Sequence, residues 1–195
     1  MFSHSLSSVI PAFLFLLKTV CSFFSALFLL RLMLQWRRIS FIGPLGGFVL
    51  KLTNWAILPL RRVIPGLGGI DLASLVAAFL PQVVFFSITL SLRALIALPP
   101  FMRDVIAEAG WISVLLLISL LGLFQIVIYL LTLLLILQAV LSWVNPYSPF
   151  APDLRQLTAP LLAPIQRILP PISGIDLSPL VALLLLQALS MILML

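Results

Sequence analysis

Charge is what this chain has least of. Its 195 residues include 11 Lys and Arg and 5 Asp and Glu, so charged side chains make up 8% of it against 63% hydrophobic, and the mean hydropathy is +1.31. So few polar groups cannot clothe a water-soluble globule, which places the chain in a membrane. Histidine occurs once, as His4, which excludes a histidine pair for a metal or bis-histidine haem and a Ser-His-Asp set. Cysteine also occurs once, as Cys21. That rules out an internal disulfide and a four-cysteine metal site and leaves a small packing residue. Gly66-Leu67-Gly68-Gly69 lacks the strand-then-helix setting of a phosphate loop. The sequence therefore argues against an enzyme, and no cofactor or metal is expected.

What the chain does have is long apolar runs. A hydrocarbon core about 30 Å thick needs about 20 residues of helix, and four runs qualify: Val9 to Leu34, Leu72 to Leu98, Trp111 to Trp143 and Leu177 to Leu195. The first has no basic residue before it and no small-residue cleavage pattern, so it reads as a retained helix. Lys18 and Arg31 near its ends read as snorkelling anchors. Pro99-Pro100 stops the second run, and Phe101 to Gly110 reads as a short loop. The third run is so long that it must tilt, kink or project, and Gly122 is one weak point in it. Trp36, Trp55, Trp111 and Trp143 fall near run ends, where indoles favour the headgroup layer.

Sliding the chain by 105 residues sets Pro44 to Gln82 on Pro149 to Gln187 without a gap. Pro44 then falls on Pro149, Thr53 on Thr158, Pro59 on Pro164, Arg62 on Arg167, Gly69 on Gly174, Asp71 on Asp176 and Gln82 on Gln187. Each half reads as helix, linker, helix. Two crossings per half make the halves parallel rather than inverted. The expected fold is an all-α membrane protein with four transmembrane helices in two parallel helix–interfacial helix–helix repeats. The units are residues 1–98 and 111–195, separated by an extracytoplasmic loop, 99–110. The first linker holds Arg37, Arg38, Lys51, Arg61 and Arg62 with no acid, and the second holds Arg155 and Arg167 against Asp153. The basic side faces the cytoplasm. In the second linker Leu154, Leu157, Leu161, Leu162, Ile165, Ile168 and Leu169 recur every three or four residues. In the first, Val49, Leu52, Ile57, Leu60, Val63 and Ile64 do the same. Both are expected to be helices lying in the interface, with Pro160 and Pro164 breaking or kinking the second. A re-entrant hairpin is the alternative, and it needs protein around its backbone.

Gly69 and Gly174 stand where the chain turns from the linker into the bilayer. Asp71 and Asp176 follow at helix starts, where a carboxylate caps free amides and meets the positive end of the dipole. A sharper expectation pairs Asp71 with Arg62 and Asp176 with Arg167. Pro59 and Pro164 punctuate the linkers. Gln82, Gln187, Gln125 and Gln138 lie within apolar runs, where an amide usually bonds another helix.

The phrases Asn145-Pro146, Ser148-Pro149-Phe150, Pro160 to Pro170 and Gly174-Ile175-Asp176-Leu177-Ser178-Pro179-Leu180 resemble the YggT family of bacterial inner-membrane proteins, with relatives in cyanobacteria and plastids. The first copy departs from them at Ser40-Phe41, Trp55 and Ala73-Ser74. The resemblance implies a multi-pass inner-membrane protein with two tandem repeats. It also implies relatives linked to haem attachment to a plastid cytochrome b, to nucleoid distribution or division, and to osmotic-stress tolerance. The expected function is a non-enzymatic scaffold or assembly factor whose cytoplasmic linkers contact membrane lipids and a membrane protein partner or a second copy. A small channel or transporter formed by oligomerisation is the alternative. Nucleic acid is not an expected partner, because aromatics do not alternate with the linker cations.

Overall fold

A computed structural model describes residues 2–66, 71–96, 99–169 and 176–194. Among them are seven helices and no strand: α1 (Phe2–Trp36), α2 (Pro44–Val63), α3 (Leu72–Ile96), α4 (Pro100–Ala109), α5 (Trp111–Val144), α6 (Ala151–Ile168) and α7 (Ser178–Met194). Long apolar runs become helices because a helix satisfies every backbone group within the segment. Three of them, α1, α3 and α5, are long and apolar enough to cross a membrane, whereas the equally apolar α7 is shorter, at 17 residues.

Helix ends follow local chemistry. Pro44 and Pro100 open α2 and α4 where a missing N–H costs nothing. At the end of α1, Arg38 takes a left-handed conformation, φ +56°. The Ile39 amide then reaches Leu34 O and the Arg38 amide reaches Gln35 O, closing the last turn.

Two expectations are corrected, and Gly122 gains a packing role. The segment expected as a loop after Pro100 is the helix α4, set off from α5 by Gly110 at φ +80°, a conformation that favours glycine. The long α5 runs unbroken through Gly122. Gly122 makes room for α3, since a Cβ there would stand 2.5 Å from Phe86 Cε2. Finally, α6 continues through Pro160 and Pro164. Proline at position 160 leaves the carbonyl of Gln156 without its helical donor, and Arg37 Nε supplies one at 3.0 Å. The Gln156 side chain returns a bond to Arg37 O at 2.9 Å.

The core is a helix-packing core rather than a water-driven one, so small residues and close fit decide it. Ala73, Ala77 and Ala78 are buried on α3, and Ser25 of α1 donates to Ala78 O at 2.8 Å. One cluster joins α1, α2, α3, α5 and α6 through Leu34, Ile57, Ala78, Leu130 and Leu157. A second joins α5, α6 and α7 through Leu135, Leu162, Ile165, Ala182 and Leu186. Helix α5 is thus the wall shared by both. The buried stripe of α2 is Gly46, Val49, Thr53 and Ile57. Adding 105 to each gives Ala151, Leu154, Thr158 and Leu162, all buried on α6.

Candidate interaction site at the linker corners

The buried stripe of α2 advances by three or four residues, and one further turn after Ile57 is Arg61, not Arg62. Arg61 therefore swings under the helix toward the start of α3. Its Nη2 lies 2.6 Å from Asp71 Oδ2 and its Nε 3.3 Å from Asp71 Oδ1. Nη2 also donates to Gln35 Oε1 of α1 at 3.2 Å, and the Ser74 hydroxyl donates to Asp71 Oδ2 at 2.6 Å. One guanidinium so ties α1, α2 and α3 together. Burial alone would raise the Asp71 carboxyl, but the hydrogen bonds from Arg61 and Ser74 and the Arg61 charge hold it below the usual carboxylate range.

The expected partner of Asp71 was Arg62, and this is corrected by one position. Arg62 is exposed, and among the described residues it makes no ion pair.

At the second corner the residue 105 after Arg61 is Gln166, and it takes the same place. Gln166 Nε2 donates to Asp176 Oδ2 at 2.8 Å, while Arg167, expected in that role, is exposed. The Ser178 amide donates to Asp176 Oδ1 at 2.9 Å, so this carboxylate caps α7. Burial again acts upward on Asp176, and the contacts from Ser178 and Gln166 prevail and lower it. The two corners share geometry and differ in chemistry: a salt-bridged acid in one, an amide-bonded and exposed acid in the other. Gly69 and Gly174 lie outside the described residues. Pro59 and Pro164 sit on the exposed sides of α2 and α6 without ending them.

Behind the first corner stands a residue that its place in the run misjudged. Arg31, expected to snorkel, is 2% exposed. Its Nη1 donates to Thr53 Oγ1 at 2.7 Å and Asn54 Oδ1 at 2.8 Å, pinning α1 to α2 through neutral oxygens. No acid lies within ion-pair distance of it among the described residues. Thr53 and Thr158 both turn their hydroxyls back to the carbonyl four residues earlier, Val49 O and Leu154 O. The Thr158 hydroxyl also meets the side-chain amide of Gln138 on α5. The Arg31–Gln35 spacing of four, which puts both on one helix face, was the signal for a cluster here.

The amides within the bundle divide. Gln82 Nε2 donates to Ser25 Oγ at 3.0 Å, joining α3 to α1. Gln125 Nε2 donates to Ser190 Oγ at 2.7 Å, joining α5 to α7. Gln187, the counterpart of Gln82, is exposed instead. The α1–α2 loop rests on α6: besides the Arg37–Gln156 exchange, Asp153 Oδ2 would lie 3.5 Å from a Cβ on Gly43, and burial pushes the Asp153 carboxyl up. Among the described residues no group of three or more His, Cys, Asp or Glu could hold a metal ion.

Three helices long and apolar enough to cross a membrane, joined to α2 and α6 and with acids at two of the corners, define an all-helical membrane protein. The CCB3/YggT family profile matches residues 10–92 and 117–195, and the chain belongs to that family. It is 39% identical over 183 residues to the uncharacterised protein YggT of Escherichia coli strain K12, covering 91% of this chain and 86% of that one. It is 37% identical over 183 residues to the uncharacterised protein PA0392 of Pseudomonas aeruginosa, covering 93% and 87%. An uncharacterised protein of Vibrio alginolyticus is 37% identical over 171 residues. No solved structure matches.

Proposed function

We propose that the protein is a non-enzymatic scaffold or assembly factor of the bacterial inner membrane. Two parallel units, residues 1–98 and 111–195, cross it four times in all, with α7 as the fourth crossing. Residues 99–110 lie on the outer side. In this reading α2 and α6 face the cytoplasm, where their basic residues meet anionic headgroups and a membrane protein partner or a second copy.

The observation that carries the reading is the division of labour on the linkers. Four positions 105 apart hold each linker helix to the bundle, and Arg61 and Gln166 secure the corners. This leaves Arg62 and Arg167, the arginines common to both copies, exposed, as Lys51 and Arg155 are. Side chains with no ion pair or hydrogen bond among the described residues are available to a partner outside the molecule. Direct contact between the α1–α2 loop and α6 supports both linkers sharing one side. The scaffold is preferred to a pore because Gln82 and Gln125 use their amide nitrogens to join helices, through Ser25 and Ser190.

Photo-cross-linkers at positions 51 and 155 in native membranes test this. A discrete cross-linked partner, lost when Arg62 and Arg167 are both changed to Glu, is expected. Cross-linking that is unchanged in that variant defeats the proposal.

A further inference from the structure

Two cavities adjoin at the end of the bundle remote from the linkers. One, of about 530 Å³, opens between α1, α3 and α5 and is lined by Phe23, Ala26, Phe86, Tyr129 and Leu133, with Gln82 and Gln125 also on its wall. The other, of about 290 Å³, is lined by Thr89, Arg93, Met102 of α4 and Ile118. Lys18, Phe85 and Phe86 line both, so the two form one cleft. Its size is that of a small-molecule site.

The polarity of the cleft runs along the helix axes. Arg93 lies 21 residues beyond Leu72, about 30 Å along α3, and Lys18 lies 18 residues before Trp36, about 27 Å along α1. Both cations so stand about one hydrocarbon thickness from the linker side, at headgroup level. Gln82 lies roughly half-way down, about 15 Å from Leu72. There Gln82 and Gln125 direct their nitrogens to Ser25 and Ser190, so the floor offers no cation to an acidic group. The acids of α4, Asp104 and Glu108, do not line either cavity. Phe15, Phe23, Tyr129 and Leu133 are exposed along its rim, leaving it open sideways to lipid.

We propose that this cleft binds an anionic membrane lipid, with its acidic headgroup held between Lys18 and Arg93 and one acyl chain lying between α1, α3 and α5. Any lipid chain fits the apolar wall; the two cations at the mouth select the headgroup. The site is independent of the linker surfaces and lies at the opposite end of the helices.

The test uses the full chain in nanodiscs containing phosphatidylglycerol or phosphatidylcholine with the same diazirine-bearing acyl chain, and maps the labelled peptides. Phosphatidylglycerol should label segments 22–26, 85–86 and 125–129 in preference to phosphatidylcholine. Changing Lys18 and Arg93 together to Gln should reduce that preference by about 25-fold, at about fivefold per cation. Equal labelling of these segments by the two lipids overturns the proposal, as does a preference that survives the double change. A second variant, Ser22→Trp, places bulk in the cleft while keeping both cations. It should abolish labelling at Phe86, and undiminished labelling there also overturns the proposal.

Discussion

At the level of single residues, the first corner is an unequal partnership. Asp71 is 4% exposed and Arg61 40%, so either group can be removed but the consequences differ. Without Arg61 the carboxylate is buried and uncompensated; without Asp71 the guanidinium can turn to water. Arg61→Gln should therefore cost about 2 kcal/mol and Asp71→Asn about 1 kcal/mol, while Arg62→Gln should be near neutral; denaturant unfolding in detergent checks the order. The pH dependence has a definite sign. A carboxyl held below its unfolded value of about 3.9 contributes stability that is present above that pH and lost as the pH falls through the folded value. Stability should drop on acidification below about pH 4, and Asp71→Asn should shrink that drop. The acids and their helix-start positions could be read from the repeat. The partner could not, because identity between the copies points to Arg62 and Arg167, while contact follows the stripe through Thr53, Ile57 and Arg61. Arg31 was misplaced for a related reason: nearness to the end of a run says nothing about which way a helix face looks.

Among the helices, apolar runs and prolines gave the boundaries of α3, α5 and α7 to within two residues, while α1 begins seven residues before its apolar run. What they hid was the interior traffic between elements. Proline at 160 reads as a break when α6 is considered alone, yet the helix continues because α1 provides the missing donor. Gly122 reads as a weak point in α5, yet its lack of a side chain is what lets Phe86 of α3 approach. Gly122→Ala should cost about 1 to 3 kcal/mol by overpacking, despite alanine's better helix propensity. If the substitution raised the melting temperature instead, flexibility rather than fit would be the role of Gly122. Helix α4 was missed because ten residues between two apolar runs resemble a connection, although Pro99-Pro100 supplied the helix start and Gly110 the stop.

For the whole molecule, the apolar spacing in the two copies anticipated the buried pairs Val49 and Leu154, and Ile57 and Leu162, but not the buried Thr53 and Thr158. Val63 and Ile168, expected on the same faces, are exposed. The duplication did not anticipate the differences between the halves. An ion pair faces an amide at the corners, and Gln82 is bonded within the bundle while Gln187 is exposed. Reporter tags inserted at Lys51 and Gln156 should fall in the same compartment, and tags in α4 in the other; tags at 51 and 156 on opposite sides would end the parallel arrangement. The Arg37–Gln156 exchange links positions 119 apart. During synthesis Arg37 emerges long before the carbonyl it will serve, so the first half leaves the ribosome with a donor waiting for its acceptor. A second half made as a separate polypeptide would lack that donor, and the two fragments produced together have a built-in reason to reassociate.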